Sequence, residues 1–369
     1  MKIQFSFILL ILLFLGNACI RNPDAGPEAS GFDKGSMLNF YANQQIKPAY
    51  SQVLSELSIL KERADLFVAN PDSIGLIALR LQWMKAAEVW QSACAFNFGP
   101  AGEEGLLKSL QEEIATFPVS ATKTEQILAG SAFNLNDFNR DTRGFFAIEY
   151  LIFGKNQSQK FVLDRFENPH ARQYLTELCY HARQRVESVL QGWEGGFGKT
   201  FAEDKGTGTG SSTAMLYNEF VKSFEFLKNM KLGLPLGKRP GQTSARPDLS
   251  EAVFSGHSLK MMQLHFHTLC KIWNGTGFTG NGNGPGFRAY LLQSEGGPAL
   301  VGSTEAQIQK VNEAFAALPA GRSFSDLLAT NDPSVELLHT ELQKLTRFFK
   351  SDMSSVLGIT ITYASGDGD

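Results

Sequence analysis

Cysteine is scarce in this chain of 369 residues, with only four, at positions 19, 94, 179 and 270. The last three have no metal-type spacing, which excludes a thiolate site built from a local motif, and they allow at most one disulfide, so the body is not a disulfide scaffold. Which two of Cys94, Cys179 and Cys270 would pair, or whether any do, stays open at this stage; isolated cysteines on helical faces read as small core residues. An excess of either charge is also missing. Lys and Arg number 34 against 37 Asp and Glu, a net −3, which argues against a general nucleic-acid binder. Long apolar runs are confined to Ile3–Leu15, too short to span a bilayer comfortably. The glycine-rich stretch Gly206–Thr213 has no strand before it and no lysine in the phosphate-loop position. It therefore reads as a connector with a Ser or Thr helix cap. Finally, on the segment that follows the Pro169 break, His170 and His181 have no carboxylate at helical spacing except Glu177, four residues before His181, and that pair reads as a surface contact.

What is present begins with a leader. Met1-Lys2, the apolar run and Gly16-Asn17-Ala18-Cys19 have the layout of a secretory signal. Leu15 to Cys19 resembles a bacterial lipobox, which implies removal of residues 1–18 as a signal peptide and diacylation of Cys19. Two or more acyl chains anchor stably where one does not. Residues 19–33 then form a lipid-anchored tether, poor in apolar side chains and rich in Asn, Pro, Gly and Ala. Ile20 is not an acidic residue of the kind that retains lipoproteins in the inner membrane of some bacteria, so the expected location is the outer membrane, facing periplasm or cell surface.

The remaining body is long enough for one large or two ordinary domains, and its periodicity is helical almost throughout. Leu38, Tyr41, Ile46, Tyr50, Leu54, Leu57 and Leu60 trace one stripe; Leu76, Leu79, Trp83, Ala86, Ala87 and Trp90 trace a second that breaks at Phe98-Gly99-Pro100. Shorter helices are expected over 103–116 and 123–135, and a long one over 158–191 broken near Pro169. Glycines at 195, 196, 198, 206, 208 and 210 mark a boundary between a first helical unit, 34–196, and a second, 197–369. The second holds helices over 214–230, 249–273, 303–318, 324–329 and 334–356. A glycine-rich linker spans 274–286, and the closing 357–363 stretch alternates like a strand. His257 and His265 share a face two turns apart, about 12 Å, too far for one metal to bridge without other ligands. Asp367-Gly368-Asp369 is too short for a calcium loop and reads as a solvated tail.

One stretch stands out: Asp141-Thr142-Arg143-Gly144-Phe145-Phe146-Ala147-Ile148-Glu149-Tyr150-Leu151-Ile152-Phe153-Gly154. Thr142 can cap a helix there and Gly154 can stop it. A carboxylate among such apolar neighbours needs donors or a cation, and Arg143, six residues earlier, is not its default helical partner. Gly144-Phe145-Phe146-Ala147-Ile148-Glu149 resembles the Gly-x-His-x-x-Glu signature of imelysin-like proteins, also classed as the M75 peptidase family, with Phe146 in the place of the histidine. Trp83 to Pro100, Leu232–Lys238, the pair Ser255 and Ser258, and the closing Gly-Asp-Gly-Asp are similar to the same family, so the resemblance covers nearly the whole mature chain.

The resemblance implies an all-α fold of two helix bundles with a cleft between them. It implies candidate ligand-binding residues Arg143, Gly144, Glu149, Ser255 and Ser258, with Glu149 the single metal-ligand candidate on the signature face, its carboxylate expected to face the cleft and to be held by donors such as Arg143 or the Ser255 and Ser258 hydroxyls. It also implies a role in bacterial iron acquisition, as a module binding iron, a haem-like ligand or a partner envelope protein. The competing implication is an M75-type metallopeptidase. Phe146 weighs against that, because a peptidase needs a metal or nucleophile and the motif here offers one carboxylate.

Overall fold

The computed structural model describes residues 31–104, 107–155 and 157–363, so the Cys19 leader, most of the tether and the Asp367–Asp369 tail lie outside the described residues. Among the described residues the chain is all-α, with no strand. None of the helices among the described residues is long and apolar enough to cross a membrane.

Three long helices make the frame of the first half. The Lys47–Ala69 helix lies against Ser73–Trp90 on one side and Pro169–Gly192 on the other. Their inward faces follow from spacing: Leu76, Leu79, Trp83, Ala86, Ala87 and Trp90 are all buried, as the three-and-four pattern requires. Their starts follow from short polar side chains. Asp72 accepts from the Gly75 amide and Asn168 from the His170 amide, each satisfying one of the amides a helix leaves unpaired at its start. Onto this frame packs the Gly144–Phe153 helix, and the Trp83 indole donates to the Phe145 carbonyl at 2.8 Å.

In the second half, Gly297–Ala316 pairs with Pro333–Thr346, and Ser258–Asn274 packs near Ser212–Phe226 and Phe287–Leu292. The first helix of the body, Lys34–Phe40, crosses over. Phe32 stacks on Tyr290 with ring centroids 4.5 Å apart, and the Tyr41 hydroxyl donates to the Ile272 carbonyl at 2.6 Å. Buried apolar side chains from Phe32 to Ile359 form one continuous cluster through both halves.

Several sequence expectations change. The 103–116 helix contracts to Leu110–Ile114, and 123–135 shifts to Ala121–Leu128, where the Ser120 hydroxyl caps it. Part of the glycine-rich boundary is helical: the chain kinks at Gly196, φ 136°, and Gly198–Glu203 follows as a short helix, because Trp193 is fully buried against Phe98, Phe197 and Phe201. The expected 249–273 helix begins only at Ser258. Before it the chain turns through Ala252 and Gly256, both with positive φ, 51° and 72°. The closing stretch is not a strand. Asn218 takes the place of a neighbouring strand, its amide nitrogen donating to Thr360 O at 3.0 Å and its oxygen accepting from Thr362 N at 2.7 Å. Cys94, Cys179 and Cys270 are all free thiols.

Candidate functional site

The signature helix runs Gly144–Phe153 and is buried from Gly144 through Ile152. Its start differs from the expected Thr142 cap. Thr142 ends a short 3-10 turn and its hydroxyl turns back to Asn139 O, while Arg143 takes the cap position with no side-chain capping bond. Gly144 is required by its surroundings. Its φ is +75°, and a Cβ there would collide with the Ile114 carbonyl. At the other end Gly154, at φ +71°, stops the helix as expected.

Glu149 is fully buried, with 0% exposure. Its Oε1 accepts from the Ser255 backbone N–H at 2.7 Å, across 106 positions of sequence, and Oε2 finds no donor. Burial pushes its pKa up to about 8; Ser255 and the Phe254 backbone pull the other way, and nearby Glu251 adds to the rise. At neutral pH the group is therefore mostly a protonated acid, able to donate from one oxygen while Ser255 occupies the other.

Arg143 does not serve Glu149. Its guanidinium reaches Glu113 Oε2 at 2.5 Å and Asp137 O at 2.8 Å. Ser258 is not a Glu149 donor either: its hydroxyl is spent on the Glu251 carbonyl, fixing the turn ahead of its own helix. Of the expected residues, the fold brings together Glu149 and Ser255, with Gly144 at the start of the helix that carries Glu149; Arg143 and Ser258 hold other structure. His257 and His265 also part company. His257 Nε2 lies 2.6 Å from Glu88 Oε1, and His265 Nε2 lies 2.7 Å from Ser223 Oγ. His181 is buried rather than a surface contact, and its pKa falls to about 4, first from burial and then from Arg143 and Arg185.

Phe146, one turn before Glu149, is 2% exposed and meets Phe117 edge-on with centroids 5.6 Å apart; Phe117 in turn meets Phe226 at 5.9 Å. The position of the signature histidine is thus filled by a ring in an aromatic contact that joins the two halves. One residue beyond Glu149, Tyr150 meets Phe254 edge-on at 5.1 Å, next to the Ser255 amide.

Sequence reasoning missed three further participants. Lys231 Nζ donates to Gln91 Oε1 at 2.5 Å and pairs with Glu251 Oε1 at 3.0 Å, all deeply buried. Burial raises the Glu251 pKa, with Lys231 opposing. The available signal was a Lys and a Glu inside otherwise apolar helical and turn segments, the same signal that marked Glu149. So Glu149–Ser255, Gln91–Lys231–Glu251 and Glu88–His257 all fasten the 251–257 turn to the first half. Beside that turn lies a groove of about 490 Å³, lined by Pro118, Val119 and Lys155 from the first half and by Asp248, Phe254 and Asp326 from the second. That volume falls in the range of small-molecule sites.

This donor set does not fit a metal ion. Glu149 offers one oxygen without a partner on a helix face where Phe146 supplies none, and Glu251 already faces an ammonium. Among the described residues no three His, Cys, Asp or Glu side chains converge.

Comparison with known proteins agrees with this architecture. The family model of imelysin, peptidase M75, matches residues 46–348. Iron-regulated protein A of Synechococcus elongatus is 24% identical over 155 residues, 42% of this chain and 39% of that protein, so the match spans about two fifths of the relative's length. A crystal structure from Parabacteroides distasonis, described as an iron-regulated protein A precursor, superposes with a TM-score of 0.70 at 15% identity, covering 90% of this chain and 98% of that one. An imelysin-like protein from Psychrobacter arcticus 273-4 gives 0.68 at 19% identity, covering 89% and 97%. At these identities the structures speak for the fold. With its signature helix, its all-α architecture and a family match over most of its length, the chain belongs to the imelysin family, peptidase M75.

Proposed function

We propose that this protein is an envelope lipoprotein of the imelysin type, anchored through Cys19 and serving iron acquisition as a binding module, with a haem-like ligand or a partner envelope protein as its target. The observation that carries this reading is Phe146. It occupies the imidazole position of the signature, is sealed against Phe117, and leaves Glu149 as the only acid on that face. A hydrolase needs a group that activates attack, and a mostly protonated carboxyl held by one amide does not supply a metal-bound nucleophile. Iron enters the reading through the name of the relatives, iron-regulated protein A, and bare iron is disfavoured by the donor set. The groove beside the 251–257 turn has the size to take an organic ligand. Attachment rests on the lipobox-like Leu15–Cys19 and the polar segment behind it.

The test pairs binding with cleavage. Purified mature chain titrated with haem is expected to show a saturable absorbance change, and no cleavage of casein with or without added divalent metal. Phe146→His, which sets an imidazole three residues before Glu149, is expected to gain affinity for divalent ions. Chelator-sensitive proteolysis by the unmodified chain would overturn the reading in favour of a metallopeptidase. Mass spectrometry of membrane-extracted protein is expected to find an acylated Cys19 as the first residue.

A further inference from the structure

The Ser73–Trp90 helix buries one face and leaves the opposite one bare, although that face is apolar too. Leu76, Leu79 and Trp83 are buried. Ile74, Ile77 and Leu81, spaced three and four apart and so on one face, are 80%, 49% and 58% exposed. From Ile74 to Leu79 every residue is apolar or glycine, so the opening turns are hydrophobic all round, and a helix of that kind is normally covered on every side. Apolar side chains exposed singly need no account, but a row of them does. The last turn of the adjoining Lys47–Ala69 helix carries one more, Leu66, at 66%.

The placement of charge says what fits this stripe. Ala78 is its midpoint: Ile74 lies four positions before it and Leu81 three after, while exposed Asp72 lies six before and Lys85, 60% exposed, seven after. At 1.5 Å per residue the acid and the base stand about 9 and 10.5 Å to either side. A second copy of the helix, laid antiparallel across a two-fold axis at Ala78, sets Ile74 against Leu81 and Lys85 against Asp72 at both ends, which is the self-complementarity an isologous contact needs. The methyl group of Ala78 lets the two axes come close. Both charges keep the partners they have. Asp72 Oδ1 accepts from the Gly75 amide at 2.7 Å and Lys85 pairs with buried Glu56 at 3.0 Å, but a carboxylate has a second oxygen and an ammonium three hydrogens. A bilayer is the poorer fit, because interfacial helices line their polar flank with Lys and Arg. Here the flank carries both signs: Asp72, Lys85 and Glu88, the last lying 2.6 Å from His257 Nε2.

We propose that this face is a contact between two copies of the chain, an antiparallel pair of Ser73–Trp90 helices centred on Ala78. The contact is separate from the signature helix and does not rest on the function proposed above. A standard interface covers about 800 Å² on each partner, and an apolar stripe of this kind offers on the order of a few hundred. The pair is therefore reversible, populated at roughly tens of micromolar chain and lost on dilution.

The experiment is sedimentation velocity of the mature chain over a concentration series, in a C19S background so that the thiol ahead of the body plays no part. A shift from monomer towards dimer is expected. Ile77→Lys brings two like charges together beside the axis and should weaken association at least about tenfold, with the melting temperature unchanged because the side chain is half exposed. Ala78→Cys stands on the axis and is expected to form an interchain disulfide under mild oxidation, whereas Ser303→Cys, exposed on the Gly297–Ala316 helix of the second half, is not. Should I77K fail to fold, the comparison of A78C with S303C decides alone. Flotation with anionic phospholipid vesicles tests the other occupant: a chain that stays monomeric yet floats, and no longer floats as I77K, assigns the face to a bilayer and overturns the proposal. A monomer at every concentration, dimers that I77K leaves intact, or A78C cross-linking no better than S303C overturns it as well.

Discussion

Glu113 and Glu149 are both carboxylates shut away from water, at 1% and 0% exposure, yet their surroundings push them in opposite directions. For Glu113 burial works to raise the pKa, but the Lys108 amide at 3.1 Å, Arg140 at 2.9 Å and Arg143 at 2.5 Å outweigh it, and the group is held below its ordinary value. Glu149 has one amide, no cation and an unpaired oxygen, and is pushed up to about 8. One acid is a charged structural anchor; the other is a neutral acid at the join between the halves. Burial alone does not decide what a carboxylate does; the donors that follow it inward do.

The sharpest way to break this comparison is to strip Glu113 of the more buried of its two cations. Arg143→Ala leaves a buried anion with Arg140 and one amide, and removing one partner of such a pair costs about 3–5 kcal/mol. Chemical denaturation of the variant is expected to show a loss of that order, with ligand binding unchanged per folded molecule. A loss below about 1 kcal/mol would mean Glu113 takes up a proton at little expense, and the contrast with Glu149 would collapse.

Next in size is Glu149→Leu. The Ser255 amide then loses its acceptor inside a dry contact, at about 1–3 kcal/mol. The turn at 251–257 is expected to loosen, read as faster hydrogen exchange at Ser255 and neighbouring amides. Unchanged exchange there would show that Lys231–Glu251 and His257–Glu88 hold the turn without Glu149.

The same comparison shows where sequence was informative. Helical stripes such as Leu76 to Trp90 follow from a period a chain cannot hide, and Glu149 stood out because a charge in an apolar helix needs a reason. Gly144 was legible as a signature residue, whereas its cause, the Ile114 carbonyl pressed against it, comes from a distant segment. The partners were legible only in part. Ser255 is expected beside Glu149 through its hydroxyl, and it is the backbone N–H that makes the bond; Arg143 meets Glu113 from 30 positions away, and local spacing carries no record of that pairing. The 357–363 stretch misled because alternation fits a strand, while a single side chain, Asn218, satisfies it instead. Two of the links at the 251–257 turn, Gln91–Lys231–Glu251 and Glu88–His257, went unseen for the same reason as Arg143: each joins residues distant in sequence.

The smallest expected effect is also the most diagnostic, because it tests the protonation state on which the contrast rests. Glu149→Gln keeps an oxygen for the Ser255 amide and mimics the neutral acid, so in acid, below the ordinary carboxylate range, it should shift stability by no more than about 1 kcal/mol. The pH dependence is what separates the two side chains. A carboxyl whose folded pKa lies above its unfolded value binds more protons folded than unfolded, so its stabilisation is full in acid and is lost as pH rises through the folded value. For Glu149 that window runs from the ordinary carboxylate range up to about 8. Glu113, held low, has the opposite sense: its contribution is present above the ordinary carboxylate range and is lost as pH falls through the folded value. Glu219, also pushed up to about 8 by burial, adds a slope like that of Glu149, and buried His265 opposes it in acid. Subtracting the curve of the Gln variant from that of the parent cancels both. The difference is expected to fall by at most about 1.4 kcal/mol per pH unit between pH 5 and 8, then level off. Parallel curves would mean that Glu149 is ionised in the folded protein, which requires a cation at its unpaired oxygen and would return a metal to the signature helix.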